Sequence, residues 1–255
     1  MPRGDVLIHA GDLTNDGTLR DIQDQIDWLH ALPYRHVIVI AGNHDSYFDP
    51  RSRKVEDKAR GNEIRLGDVH YLQHSSVELS FPEAGGKTVK FYGAPQIPAC
   101  GGNDFAFQYK REQDAWSGTV PVDTDVLITH TPPRHHLDLP WGVGCDFLRK
   151  ESWRVKPKVH ICGHVHAGHG REDVFWDESQ RIYEQLCARE DHGVIWDIVA
   201  FWVWLDVAKM AVFGVLGILW SRVWGADDVG GVIVNAALMY RSSGQILNPP
   251  EIVDI

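Results

Sequence analysis

Residues 36–45 read HVIVIAGNHD, a run of β-branched residues that stops at a glycine and continues as an amide, an imidazole and a carboxylate. A run apolar at nearly every position has no polar face to give to water, so it predicts a strand buried on both sides, as in a layered α/β sheet. Gly42 breaks the run, which puts Asn43, His44 and Asp45 in the loop beyond its carboxyl end. In α/β sheets that edge is where ligands bind.

Three other short apolar runs end the same way. Val6–Ala10 leads into Gly11-Asp12, Val126–Thr129 into His130, and Lys158–Cys162 into Gly163-His164-Val165-His166. One histidine after a strand is commonly a packing residue, whereas four polar tips on one edge predict a shared site. Leu19, Ile22, Ile26, Leu29 and Leu32 recur at helical spacing before Pro33 and predict a helix over Thr18–Leu32; Cys145–Trp153 predicts another. Val69–Leu72, Ser76–Phe81 and Thr88–Tyr92 read as strands, with Gly85-Gly86 turning between the last two. Residues 50–68 predict charged loop or irregular helix. Residues 95–120, rich in Gly, Pro and aromatics, predict a long surface excursion with one helical turn near Lys110–Trp116.

The composition narrows the function. With 44 % hydrophobic and 24 % charged residues among 255, disorder is excluded as the main state. Lys and Arg total 25 against 35 Asp and Glu, a net charge of −10, which argues against gripping nucleic acid by phosphate neutralisation. Cys100, Cys145, Cys162 and Cys187 form no C-x-x-C pair and read as reduced, mostly buried thiols of a cytoplasmic protein. No basic segment followed by a long apolar stretch opens the chain, so no secretory signal is expected.

The strand tips carry Asp, Asn and His, donors suited to Mn, Fe, Zn or Mg rather than to soft thiolate sites. A carboxylate such as Asp12 can bridge two cations, and His130, His164 and His166 each offer one nitrogen. A turn beyond the strand would let His164 and His166 each reach a different metal.

GD at 11–12, GNHD at 42–45, TH at 129–130 and GHVH at 163–166 resemble, in order and spacing, the calcineurin-like metallophosphoesterases. THTPP (129–133), FYGAP (91–95) and VNAALMY (234–240) resemble the branch of metallophosphoesterase-domain-containing proteins, over residues 4–190 and 231–255. The resemblance implies an α/β fold: a two-sheet β-sandwich flanked by helices (αββα) holding a dinuclear centre of two divalent metal ions. It implies hydrolysis of a small phosphodiester or phosphomonoester by metal-activated hydroxide attack on phosphorus. Carried over, Asp12 bridges the metals, Asn43, His130 and His164 complete one site, and His166 serves the other. His44 would protonate the leaving oxygen, oriented by a hydrogen bond to Asp45. Arg134 and His135, just after THTPP, would meet the substrate at the mouth of the site; an exposed loop pair without a role reads equally well.

The sequence departs from the family at one point. The family opens on a strand ending in Asp-x-His, whose side chains bind the first metal, and no such triplet precedes Asp12. His9 lies within the strand and reads as a packed or edge histidine. One metal site therefore has four candidate ligands, and the other keeps only Asp12 and His166. The chain is expected to be an N-terminally shortened form of a competent enzyme. The alternative is a catalytically impaired, single-metal binding module or membrane-associated scaffold.

Five of the ten tryptophans, Trp196, Trp202, Trp204, Trp220 and Trp224, lie between 196 and 224. Residues 198–220 carry only Asp206 and Lys209 as charges, a stretch long enough to cross a bilayer with Trp near both ends. Yet VIVNAA (232–237) reads as a strand returning to the sandwich, which one crossing would strand on the wrong side. The expectation is a single domain over 1–255 with an apolar helical insertion at 193–228 lying peripherally in a membrane surface. Packing on the domain or in an oligomer, and a true span, stay as alternatives.

Overall fold

The computed structural model describes residues 2–60, 63–102, 104–189, 200–224 and 230–255. They fall into two units, residues 1–172 with 233–255, and residues 173–232.

The first unit is built on two sheets. Strands β1 (Val6–Ala10), β2 (His36–Ile40) and β3 (Val69–Tyr71) form a parallel sheet in the order β1-β2-β3, with Ile8 opposite Ile38 and Val39 opposite Tyr71. The second sheet contains β4 (Ser75–Phe81) and β5 (Lys87–Ala94), with β8 (Val126–Thr129), β9 (Val159–Cys162), β10 (Gly170–Phe175) and β11 (Gly230–Asn235). Its order is β10-β11-β9-β8-β5-β4, counting for β10 and β11 only the residues of this unit. Strands β5, β8 and β9 run parallel and β4 runs antiparallel to β5. A small pair, β6 (Ile97–Pro98) with β7 (Gln108–Tyr109), stands apart.

Alternation along β2 explains the layering. Ile38 and Ile40 face the second sheet, where they pack with Leu79, Val89, Phe91, Val126 and Ile128. Val37 and Val39 face helix α1 (Leu19–His30), which buries Ile22, Ile26 and Leu29 against them. The Thr18 hydroxyl caps α1 by accepting from the Asp21 N–H at 3.1 Å, a contact worth about 1 kcal/mol in comparable helices. On the far side, Leu148 of helix α3 (Asp146–Val155) packs with Tyr92 and Leu127. The first unit is thus the two-sheet αββα arrangement expected from the sequence. A short helix α2 (Val55–Arg60) lies in the charged stretch after β2.

Residues 95–120 correct the sequence reading. Among the described residues they form no helix, and Ile97, Ala106, Phe107, Trp116 and Val120 are buried. The Asp114 carboxylate takes the N–H groups of Trp116 and Ser117 at 3.0 and 2.9 Å, a local turn that competes with a helix. The Trp116 indole N–H then donates to Tyr109 Oη at 3.0 Å, which lets the ring enter the core. Of the four free thiols, Cys145 and Cys162 are buried, whereas Cys100 and Cys187 are exposed.

In the second unit, α4 (Glu178–Cys187) packs on α5 (Phe201–Trp224). Ser179 Oγ donates to the Met210 carbonyl at 3.0 Å, and Gly214 and Gly217 lie beside Ser179 and Asp177. Trp196, and residues 193–199 and 225–228 of the expected insertion, lie outside the described residues.

Candidate metal centre

Each sheet sends two loops to the same place. Asp12 follows β1 and Asn43 follows β2; His130 follows β8 and His164 follows β9. One ligand atom from each of Asp12, His130 and His164 lies within 4.8 Å of the others, a group fit to hold a metal ion. Asn43 joins them, its Oδ1 2.9 Å from His130 Nε2.

The approach of the loops depends on missing side chains. A Cβ on Gly42 would lie 2.3 Å from both the backbone N and Oδ1 of Asp12, and one on Gly11 would lie 2.5 Å from His130 Nδ1. Asp12 and His164 themselves adopt left-handed backbone, with φ of 56° and 61°. Asp and His tolerate that region better than most residues, and such strain is usually kept at functional sites.

His130 links the sheets. Its Nδ1–H donates to the Ala10 carbonyl at 2.8 Å, so in the neutral ring Nε2 carries a lone pair. That nitrogen faces Asn43 Oδ1 and, at 3.3 Å, Asp12 Oδ2. Three electron-rich atoms aimed at one another require a proton or a cation between them, and the donor set is the N/O mixture that Mn, Fe, Zn and Mg accept. By this test the residues fit a divalent ion.

The electrostatics agree. Burial alone would push the Asp12 carboxyl up, but His130 and the His44 N–H, which donates to Asp12 Oδ1 at 2.9 Å, outweigh it and hold it well below the carboxylate range. Burial works against the charged form of His130, and Asp12 beside it nevertheless raises its pKa. Burial, with His130 nearby, pushes His164 down to about 3 and so keeps its ring neutral, the form that ligates metals.

The other predicted residues fall outside this group. His166 Nδ1 lies 3.1 Å from the Arg241 carbonyl, and the residue opens a short 3-10 turn. His44 places its ring over Phe105, with centroids 4.9 Å apart, and its Nδ1 3.0 Å from the Asn15 carbonyl. Asp45 does not orient His44 through its side chain. Its buried carboxylate accepts instead from Gly42, Leu13 and Thr14 N–H at 2.7, 3.1 and 3.2 Å, tying the loop after β1 to the loop after β2. Burial and the charge of Asp12 push Asp45 up to about 7. Among the described residues, no hydrogen bond or ion pair joins Arg134 or His135 to the metal group; Arg134 is exposed and His135 half-buried.

The sequence reading missed one participant and set another aside as a packed or edge histidine. The Asn15 carbonyl sets the His44 ring, a role that any residue type could fill and that leaves no sequence signal. His9 is half-buried near Asp12 and His130; its Nδ1 is buried with no hydrogen-bond partner among the described residues, and desolvation pushes it down to about 4. Its only signal was its place one residue before the strand end.

A family profile described as calcineurin-like phosphoesterase matches residues 2–168. Over 243 residues the chain is 38 % identical to a "Probable rhamnogalacturonate lyase C" of Emericella nidulans, covering 93 % of this chain and 21 % of that protein. It is 37 % identical over 181 residues to a UPF0046 protein of Caenorhabditis elegans, covering 67 % of this chain and 59 % of that one. To the human "Metallophosphoesterase domain-containing protein 1" it is 35 % identical over 196 residues, covering 67 % and 56 %. The chain thus spans somewhat over half the length of the last two relatives and about a fifth of the first.

Proposed function

The chain belongs to the calcineurin-like phosphoesterase family, and from that premise we propose that it hydrolyses small phosphodiesters or phosphomonoesters in a metal-dependent reaction. The observation that carries this reading is the convergence of Asp12, His130 and His164 from three strand tips. Asp12, Asn43, His130 and His164 would hold one divalent ion, and Asp12 with His166 would serve a second. A bound ion supplies Lewis-acid stabilisation of charge on the phosphoryl oxygens.

The chain's own residues supply the rest. The Asn15 carbonyl takes the Nδ1–H of His44 and leaves Nε2 as the free end, where the imidazolium form holds a proton for the leaving oxygen. Phe105 limits the swing of that ring. The net charge of −10 keeps nucleic acid off the expected substrate list. The test is hydrolysis of an aryl phosphodiester and an aryl phosphomonoester with added Mn²⁺, comparing the parent with His44→Ala. Turnover lost at unchanged metal content supports the reading. A parent that binds metal and hydrolyses neither ester refutes it. One specific observation favours a single-metal module as second reading: His166 stands outside the three-residue group. A titration saturating at one ion per chain, without turnover, would favour it.

We further propose that the protein is cytoplasmic and attaches peripherally to a lipid bilayer through α5. Met210, Gly214 and Gly217 mark the strip of α5 that faces α4. The exposed Phe201, Trp202, Trp204, Val212, Phe213, Val215, Leu216, Ile218, Leu219 and Trp220 cover the rest, an arc of about 220° at 100° per residue. A helix lying at the headgroup–acyl boundary can give a broad apolar arc to lipid while α4 covers the remaining strip, and Trp202, Trp204 and Trp220 suit that interface. Asp206 and Lys209 neutralise each other at 3.3 Å. Co-flotation with phosphatidylcholine–phosphatidylserine vesicles, lost in Phe213→Ser/Leu216→Ser, supports attachment. A soluble, monodisperse parent that stays at the bottom of the gradient refutes it.

A further inference from the structure

We propose that Asn235 is a positioning residue that pins the loop carrying His164 and His166 to the loop at 134–139, so that one buried amide sets both metal ligation and substrate approach. What the two loops do rests on the phosphoesterase reading; that Asn235 joins them rests on geometry alone.

Asn235 ends β11 and is fully buried. Its Nδ2 donates to the Val165 carbonyl at 2.9 Å, between the two candidate ligands, and to the Leu137 carbonyl at 3.1 Å. Its Oδ1 accepts from the Ala237 N–H at 3.1 Å. Both amide protons and the carbonyl are therefore engaged, and no other side chain of this size offers two donors and an acceptor in that plane. The loops also touch directly: a Cβ on Gly168 would lie 1.9 Å from the Leu137 carbonyl oxygen and 3.0 Å from Asn235 Nδ2.

Both loops need such a fastening. His135, Leu137 and Leu139 have φ of 73°, 52° and 77°, and His164 has 61°. Leucine seldom adopts this backbone, and it persists only where surrounding bonds over-determine it. Asp138 closes part of the loop by accepting the Gly144 N–H at 2.8 Å, while Asn235 holds the carbonyl of strained Leu137. Downstream of Asn235 the same segment continues the work. The Arg241 carbonyl accepts the Nδ1–H of His166 at 3.1 Å, which leaves Nε2 as the ligating nitrogen, and the Pro249 carbonyl lies 3.0 Å from His169 Nε2. An alanine at 235 removes both donors, and an aspartate turns a carboxylate towards two carbonyls.

The full chain is compared as parent, Asn235→Ala, Asn235→Asp and Ser152→Ala, the last altering a buried hydroxyl that donates to the Leu148 carbonyl and faces His160 Nδ1 rather than bonding either loop. Mn²⁺ binding is measured by calorimetry, and hydrogen exchange is followed in the metal-free protein over 134–142 and 163–169. Asn235→Ala is expected to bind Mn²⁺ about 10- to 100-fold more weakly, the usual loss when a bond that orients ligands is removed. Both loops should lose protection together, KM for an aryl phosphodiester should rise as kcat falls, and Ser152→Ala should do none of this. If Asn235→Ala does not fold, the isosteric Asn235→Asp is read in its place. Parent-like affinity and protection, loosening of one loop alone, or equal effects in Ser152→Ala would overturn the proposal. A parent that takes up no Mn²⁺ refutes the phosphoesterase reading, while joint exchange in the metal-free protein still decides whether Asn235 joins the loops.

Discussion

Gly42→Ala tests whether the metal group depends on the close crossing of two strand-end loops. The added Cβ would sit 2.3 Å from the Asp12 backbone N and from Oδ1, and 2.6 Å from His130 Cε1. Ordinary contact lies near 3.5 Å, so the loops must separate by roughly 1 Å. Rotating the Asp12 side chain cannot relieve this, because its backbone N is equally close. Ligand atoms must hold within about 0.2 Å of their metal distances, so a shift of this size removes Asp12 or His130 from the group. We expect at least a hundredfold weaker Mn²⁺ binding, and about 1–3 kcal/mol lost from the metal-free fold through overpacking.

Thermal or urea unfolding reads both effects. At Mn²⁺ a hundred times the parent's Kd, mass action stabilises the parent by about 2.7 kcal/mol, whereas a hundredfold weaker variant gains about 0.4 kcal/mol. Gly4→Ala is the control: the nearest atom to its Cβ is 3.8 Å away, and it should leave both quantities unchanged. Should Gly42→Ala match the parent in metal-linked stabilisation, the crossing is not what holds the metal ligands together.

Asp45→Ala leaves the N–H groups of Gly42, Leu13 and Thr14 without their acceptor and should cost about 3 kcal/mol or more by urea unfolding. Glu151→Ala strips the buried carboxylate that takes Gly118 and Val120 N–H and pairs with Arg154; a loss of about 3–5 kcal/mol is expected, and one below 1 kcal/mol would deny that it anchors residues 116–120. His160 lies 2.9 Å from Thr129 Oγ1, and burial pushes it down to about 3, against about 6.5 unfolded. Its contribution is complete above pH 6.5 and is lost as pH falls towards 3, because the unfolded chain then binds a proton that the folded chain excludes. Between pH 7 and 5 the parent should lose about 2 kcal/mol more than His160→Gln, measured as the shift in urea midpoint.

Strand identity and the edge that bears the site were legible because they follow from period and punctuation, whereas the two-sheet layering came from the resemblance to the family. The β2 run is apolar at both alternating sets of positions, and Ile38 and Ile40 pack in one core while Val37 and Val39 pack in the other. It then stops at Gly42, so pattern marked a strand buried on both sides and the loop that carries Asn43. Residues 116–120 were not legible, since Trp116 is buried through a hydrogen bond to Tyr109 and a turn at Asp114, contacts with no periodicity. The role of Asp45 was misread for a related reason. Next to His44 in sequence, it spends its carboxylate on backbone N–H groups, two of them more than thirty residues away. Backbone partners carry no residue signature. The same holds for Asn15, whose carbonyl sets the His44 ring, and for Asn235, whose targets are two carbonyls.

The left-handed backbone at Asp12 and His164 connects fold to function. Asp12 and His164 follow strands of different sheets whose ends come together. A left-handed residue reverses the chain, so the carboxylate and the imidazole turn towards one point. On the proposed metal-binding reading the reversal serves ligation, and the metal-free protein carries its cost, about 1–2 kcal/mol for a residue with a Cβ. His164→Gly removes that cost together with a ligand. The metal-free variant should therefore be as stable as the parent or up to about 1 kcal/mol more stable, because the lost imidazole contacts offset part of the relief. Its Mn²⁺-linked stabilisation should disappear. A metal-free His164→Gly destabilised by more than about 1 kcal/mol would show that the histidine is held by packing, and that its left-handed backbone stores no strain on behalf of the metal.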